Sequence, residues 1–487
     1  MHKKIGIIGA GPGGYIAAIR AAQLGAQVIV IEQEAIGGTC LNWGCIPTKT
    51  LKATAEAIDH FHRAKEFGID LEGGFRPNME RIMARKNEVI SILAQGIKKI
   101  FESYKIRFIE GRASIQDPEK ILVHDKNGDR QKIEVDNLLI ASGSKPMVFP
   151  AFPFDGEHIL SSSHALLLKE IPESIVIVGG GVIGCEFAFI FNLLGSQVTV
   201  VEALPRLLGL PSIDADCSTI IQREMKKRKI KFLLDKTVEK TEIQNGRVKV
   251  AIGPSPFLKE VKEKDRQPIE MEAQKVLVSV GRESNTQGLG LSSLGIEMDQ
   301  RGWLIVNERM ETNISGIYAI GDALGPSKIM LAHVASTEGI IAAENILGHN
   351  RTMNYEVVPS AIFTFPEVAT VGLTEPQALE RGLEVRSDTF LFRTLGKPQA
   401  MGEIVGQVKI ISARQSRKIL GVQIAGPHAT DLIAEGTLAI QLGATVEDLA
   451  RTIHAHPTLS EALVETAHKA MGVGLHGLKE SSLSTSE

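Results

Sequence analysis

The sequence predicts an α/β protein with two Rossmann-like units in one chain and an α+β segment at its C-terminal end. Three observations carry that expectation. The segment IGIIGAGPGGYIAAIRAAQLGAQVIVIE, closing at Glu32, returns without a gap as IVIVGGGVIGCEFAFIFNLLGSQVTVVE, closing at Glu202. A further apolar strand, GIYAIGDA, ends at an acid, Asp322, and leads into the helical pattern LAHVASTEGIIAAENIL. From about residue 351 onward short strands mix with helices, up to HAHPTLSEALVETAHKA.

In the repeat, Gly9, Gly11, Gly14, Leu24, Gly25, Gln27, Val28 and Val30 correspond to Gly179, Gly181, Gly184, Leu194, Gly195, Gln197, Val198 and Val200. Each copy reads as an apolar strand, a glycine turn, an amphipathic helix and a second strand closed by an acid. The glycines allow a tight turn and close approach of a pyrophosphate, whose charge meets the unpaired N–H groups of the helix start. The closing acid accepts ribose hydroxyls, so Glu32 and Glu202 both favour an unphosphorylated 2′-hydroxyl. One GxGxxG is weak; two, each in full strand–turn–helix–strand context, are specific.

Just after the first copy comes GGTCLNWGCIPTK, Gly37 to Lys49, with Cys40 and Cys45 five positions apart. In one regular helix that spacing gives a rise of roughly 7.5 Å. A disulfide usually spans about 4.4–6.8 Å between Cα atoms. A bridge therefore needs distorted backbone, which Gly37, Gly38 and Gly44 permit; two reduced thiols near a helix start are the alternative. Pro47 suits the first turn of a helix running on from there.

Residues 51–110 carry long helical patterns such as MERIMARKNEVISILAQGIKKIFE, and 111–140 alternate as short strands with turns at Asp117-Pro118 and Asn127-Gly128. The run GSKPMVFPAFPFDG, Gly143 to Gly156, reads as an exit from the first unit, and Gly281-Arg282 as a second crossing. GPSPFLKEVKEKDRQP, after the strand that precedes it, reads as a solvated hairpin loop. The expected divisions are 1–148, 149–281, 282–350 and 351–473, with a polar, disordered tail over 474–487 that ends in KESSLSTSE.

Composition excludes several classes of function. The chain of 487 residues is long enough for about three domains. Its 54 basic and 57 acidic residues leave a net charge of −3, which gives no field for polyanions or anionic membranes, so neither nucleic acid nor membrane is expected as a partner. No run of about eighteen apolar residues occurs. The strand pattern starts at once after MHKK, which leads us to expect no targeting peptide and a cytoplasmic location. The four cysteines, at 40, 45, 185 and 217, are too few for a disulfide-built secreted scaffold. Cys185 and Cys217 fit core positions.

Taken in order, GAGPGG, GGTCLNWGCIPTK, ASGSKP, GGGVIGCE, VGRESNT, GIYAIGDA, MLAH and HAHPTLSE resemble the flavin-dependent pyridine nucleotide–disulfide oxidoreductases over nearly the whole chain, to about residue 473. The resemblance implies an FAD domain, an inserted NAD domain, a central segment that completes the FAD site and a C-terminal dimerisation domain. It further implies that Cys40 and Cys45 form a redox-active disulfide against the flavin. For FAD it implies Gly9, Gly11, Gly14, Glu32, Gly38, Thr39, Lys49, Ala113, Ser142, Gly143, Asp322 and Ala332, with Lys49 near flavin N5 and Asp322 on the ribitol. For NAD it implies Gly179, Gly181, Gly184, Glu186, Glu202, Val238 and Gly281, with Glu186 near the nicotinamide. Two spots depart from the family pattern: Ser142 replaces a threonine and keeps its hydroxyl, and GRESNT lacks a proline in the turn.

His456 and Glu461 have the spacing of a base and its orienting acid. A His454-x-His456 pair without further cysteine or histidine nearby is poor for zinc, so no metal is expected. In the family this dyad serves the partner subunit's disulfide, which implies a homodimer. The implied substrate is a dihydrolipoyl group on proteins of a 2-oxo acid dehydrogenase or glycine cleavage complex. Within the family, glutathione-type reductases use NADPH, which Glu202 disfavours, and mercuric reductases carry an extra C-terminal cysteine pair, which is missing here. A non-catalytic FAD-binding subunit would not need both cysteines together with His456 and Glu461.

Overall fold

The computed structural model describes residues 3–261, 263 and 267–476. The expected disorder of KESSLSTSE therefore lies outside the described residues, as does part of the charged hairpin loop.

The first half of the repeat builds a five-stranded parallel sheet in the order Ile317–Ala319, Asn137–Ile140, Lys4–Ile8, Gln27–Glu32, Arg107–Glu110. The second builds another, in the order Lys231–Leu233, Gln197–Val201, Ser174–Val178, Lys275–Val278, Ile159–Ser161. The central strands, Ile5, Ile7, Ile177 and Val200 among them, are fully buried, as parallel strands covered on both faces must be. Register repeats too: Lys4 faces Gln27 as Ser174 faces Gln197.

The duplication runs further than the sequence similarity does. Each unit continues into a three-stranded antiparallel meander, Arg112–Asp117, Lys120–His124 and Arg130–Glu134 in the first and Lys236–Gln244, Arg247–Pro254 and Ile269–Ala273 in the second. Each then returns a strand beside its own first one, Asn137–Ile140 and Lys275–Val278. The two crossings between units lie side by side, Ser144–Pro146 antiparallel to Arg282–Ser284.

The C-terminal part is a five-stranded antiparallel sheet, ordered Ser360–Ile362, Glu367–Gly372, Ile419–Gly426, Gln407–Ala413, Val385–Leu391, packed against helices that include Ala429–Leu442 and Glu461–Ala470. Lys52, on the helix Cys45–His62, reaches Glu367 of this sheet at 2.8 Å, and Thr430 donates its backbone N–H and hydroxyl to the same carboxylate. No helix among the described residues is long and apolar enough to cross a membrane.

Candidate functional site

The two glycine turns have the same geometry. Gly9 and Gly179 take φ of +103° and +100°, where only glycine is unstrained, and a Cβ on Gly14 or Gly184 would fall within 2.0 or 1.9 Å of the Gly9 or Gly179 carbonyl oxygen. Helices Pro12–Gln23 and Val182–Leu194 start from Gly11 and Gly181 with no side chain capping their first N–H groups. Those groups are free for an anion.

The closing acids are held alike. Glu32 accepts from the N–H of Ala10 at 2.8 Å and of Glu34 at 2.9 Å, and Glu202 from Gly180 at 2.5 Å and Leu204 at 2.7 Å. Burial pushes the Glu32 carboxyl up, against those hydrogen bonds.

Around the first turn the residues fit FAD. Ser142 Oγ is buried without a hydrogen-bond partner, and space is open where Cβ atoms of Gly11 and Gly143 would stand. Asp322 sits in the turn that follows Ile317–Ala319; its Oδ2 accepts from Ser144 Oγ at 2.6 Å and lies 3.6 Å from Arg282 Nε. Ala332 opens the helix Ala332–Ile346, whose start also has no side-chain cap. Ala113 places its methyl in the core, so only its backbone can address a ligand.

Beside the second turn a cleft of about 160 Å³ is lined by Val182, Ile183, Val278, Ser279, Gly281 and Arg282, among others. Its position over a helix start fits a nicotinamide dinucleotide. Val238, like Ala113, is buried in the core, here of the second unit.

The cysteine stretch is not one helix but two, Gly38–Trp43 and Cys45–His62, broken at Gly44. A Cβ on Gly44 would come within 2.8 Å of the Thr39 carbonyl oxygen and 3.2 Å of Cys40 Cα. The break folds Cys40 back over Cys45. The two sulfurs are unbonded here and lie close enough for each to set the other's acidity.

That contact makes the pair unequal. The Cys40 hydrogen bond lowers the Cys45 thiol to about 7 against its burial, helped by Lys49 and opposed by Glu186. Cys40 is pushed well up, first by that hydrogen bond and then by burial. Cys45 touches solvent although protein crowds it, as a thiol at the mouth of a cleft does.

Lys49 and Glu186, assigned separately to flavin and nicotinamide, meet each other. Lys49 Nζ lies 2.9 and 2.8 Å from the two carboxylate oxygens of the buried Glu186. Phe363, which sequence reasoning missed, donates its N–H to Glu186 at 2.9 Å, and its ring centroid lies 4.3 Å from Lys49 Nζ. One residue from each of three distant segments thus converges beside Cys45. No local periodicity signals such a contact.

His456 and Glu461 do come together: Nδ1 lies 2.9 Å from Glu461 Oε1, while the Thr458 N–H holds Oε2 at 2.8 Å. The Glu461 carboxyl is held below its usual range: burial opposes this, and the hydrogen bonds from His456 and Thr458 outweigh it. The His456 side chain is 76% exposed, and none of its hydrogen bonds reaches the cysteine segment. His454 is committed elsewhere, to Glu435 at 2.7 Å and the Thr452 carbonyl at 2.8 Å.

Two dinucleotide cradles joined by a paired-thiol segment define a dithiol–nucleotide redox protein. The profile of pyridine nucleotide-disulphide oxidoreductases matches residues 3–339, and that of the family's dimerisation domain matches 358–467. The chain belongs to this family.

Among curated relatives, dihydrolipoyl dehydrogenase of Chlamydia trachomatis is 43% identical over 96% of this chain and 97% of its own. That of Bacillus subtilis is 40% identical over 96% and 98%. Among solved structures, LpdA of Mycobacterium tuberculosis superposes with a TM-score of 0.87 at 28% identity, covering 96% of this chain and 100% of that one. The HOCl-induced flavoprotein disulfide reductase RclA of Escherichia coli gives 0.81 at 27%, covering 95% and 99%.

Proposed function

We propose that this protein is a dihydrolipoyl dehydrogenase, which oxidises the dihydrolipoyl group of a partner protein and reduces NAD. The observation that carries the proposal is the unequal thiol pair, an acidic Cys45 under a protonated Cys40, set between two dinucleotide cradles. The full-length likeness to dihydrolipoyl dehydrogenases supports it.

In the oxidised enzyme Cys40 and Cys45 share a disulfide. With Nδ1 facing Glu461, His456 presents Nε2 to take the proton of a substrate thiol. The resulting thiolate attacks Cys40 Sγ; a bond forms there, the Cys40–Cys45 bond breaks, and Cys45 leaves as thiolate. The second substrate thiol attacks the mixed disulfide and passes its proton to the departing Cys40 sulfur, which closes the lipoyl ring and releases Cys40 as a thiol. FAD supplies, when bound, the two-electron relay from the cysteine pair to NAD. Lys49 stabilises the thiolate electrostatically, and Glu186 holds Lys49 in place.

The match to the family's dimerisation domain supports a homodimer as the active unit. Because none of its hydrogen bonds reaches its own cysteine segment, His456 is assigned to the partner subunit's pair. Lipoylated subunits of a 2-oxo acid dehydrogenase or glycine cleavage complex are the proposed partners, in the cytoplasm. A direct assay tests the whole: purified holoenzyme should reduce NAD with dihydrolipoamide, and NADP far more slowly. Turnover of oxidised glutathione with NADPH in place of this reaction would refute the assignment.

A further inference from the structure

Glu338 has no part in the scheme above, yet it is a carboxylate only 1% exposed beside the first cradle. Among the described residues no lysine or arginine donates to it. Its Oε2 accepts the Gly321 N–H at 2.6 Å and its Oε1 the Tyr355 hydroxyl at 2.5 Å. Burial pushes its carboxyl up to about 7, against the hydrogen bonds from Tyr355 and Gly321 and the charge of Lys328 and with that of Asp322. A buried acid without a cation in contact is costly, and its retention points to a task.

The task is visible in what the two partners hold. Gly321 immediately precedes Asp322 and takes φ of +69°, so the peptide that orients Asp322 hangs on the residue with the least conformational bias. Glu338 holds the peptide on the other side of that glycine, Ile320–Gly321, through the Gly321 N–H, and so fixes the point from which Asp322 is set. The far end of the same turn, Lys328, places its Nζ 4.8 Å from the centroid of the Tyr355 ring, whose hydroxyl returns to Glu338. The segment from Gly321 to Lys328 is thus clamped at both ends by one connected pair. Asp322 itself is pinned from the other side by Ser144 at 2.6 Å.

We propose that Glu338 and Tyr355 are positioning residues that hold the Asp322 turn in the geometry that binds the ribitol of FAD, which rests on the assignment of the first cradle to that cofactor. Along the chain Tyr355 follows the helix Ala332–Ile346 and precedes the first strand of the C-terminal sheet, Ser360–Ile362.

The test is reconstitution of apoprotein with FAD, followed by quenching of FAD fluorescence, with NAD affinity measured on the same preparations. Glu338→Ala should weaken FAD by roughly ten- to a hundredfold and leave NAD affinity unchanged. Glu338→Gln should restore binding to within about threefold, because its amide can accept from Gly321 and donate to the Tyr355 oxygen. Tyr355→Phe, a milder change that keeps the ring under Lys328, should cost about threefold to tenfold. FAD binding by Glu338→Ala as tight as wild type would overturn the proposal, as would equal losses of FAD and NAD or failure of Gln to rescue. Wild-type apoprotein that binds no FAD would overturn the cofactor assignment itself.

Discussion

Removing the Cys40 thiol should return Cys45 to an ordinary cysteine. The interaction with Cys40 is the largest cause of the lowering of the Cys45 thiol to about 7, and burial, the largest cause opposing it, remains when that interaction is lost. Cys40→Ala should therefore bring the thiol to about 8–9, and the thiolate fraction at pH 7.5 should drop from roughly three-quarters to between about a quarter and a thirtieth. Cys40→Ser keeps a hydroxyl donor and should lie between the two. The rate of alkylation of the reduced protein by iodoacetamide, followed against pH with the alkylated residue identified by mass, reads the midpoint without reference to the flavin. A Cys40→Ala midpoint still near 7 would refute the hydrogen-bond origin. A midpoint near 7 on Cys40 in Cys45→Ala would reverse the assignment of roles.

Lys49→Met and Glu186→Gln should move the Cys45 alkylation midpoint in opposite directions, up and down, since one charge lowers it and the other raises it; shifts of the same sign would show that the pair acts only by packing. Glu202→Ser with Ala203→Arg should raise the kcat/KM ratio of NADPH to NADH by about tenfold or more, because an acid is removed from where a 2′-phosphate would sit and a cation is added. A wild-type enzyme indifferent between the two would contradict this. Mixing inactive Cys40→Ser with inactive His456→Gln and letting subunits exchange should recover about a quarter of wild-type activity, since half the dimers then hold one intact site; exchange with no recovery would place the base in its own chain.

Much of this was legible in the sequence because it was written twice. The glycines and closing acids of the repeat have a mechanical role at fixed offsets, and the fold places them in matching positions down to the N–H groups that Glu32 and Glu202 accept. The meanders and return strands repeat only in space, because strand pairing across a hundred residues leaves no local pattern. The cysteine spacing posed its question correctly, and Gly44 resolves it by breaking the helix that the arithmetic assumed to be continuous. Lys49 and Glu186 were each placed but not paired. For Glu338 there was a signal, an acid on the apolar face of VASTEGIIAAENIL, which marks a buried charge before any partner is known.

What distinguishes the two cradles is what each one touches. Gly38, at the head of the cysteine segment, packs so closely on the first turn that a Cβ there would come within 2.6 Å of Gly11 Cα, whereas a Cβ on Gly181, the counterpart of Gly11, would meet nothing within 4 Å among the described residues. The thiol pair is thereby fixed to the first nucleotide site, and any shift of that turn moves Cys40 with it. The second site reaches the thiols through Glu186, which holds Lys49 one turn beyond Cys45, and through the core that Leu51 and Ile58 of the Cys45 helix share with Phe187 and Phe191. A change of charge in the second cradle therefore reaches the thiolate by way of Lys49, and a shift of either cradle reaches it through packing.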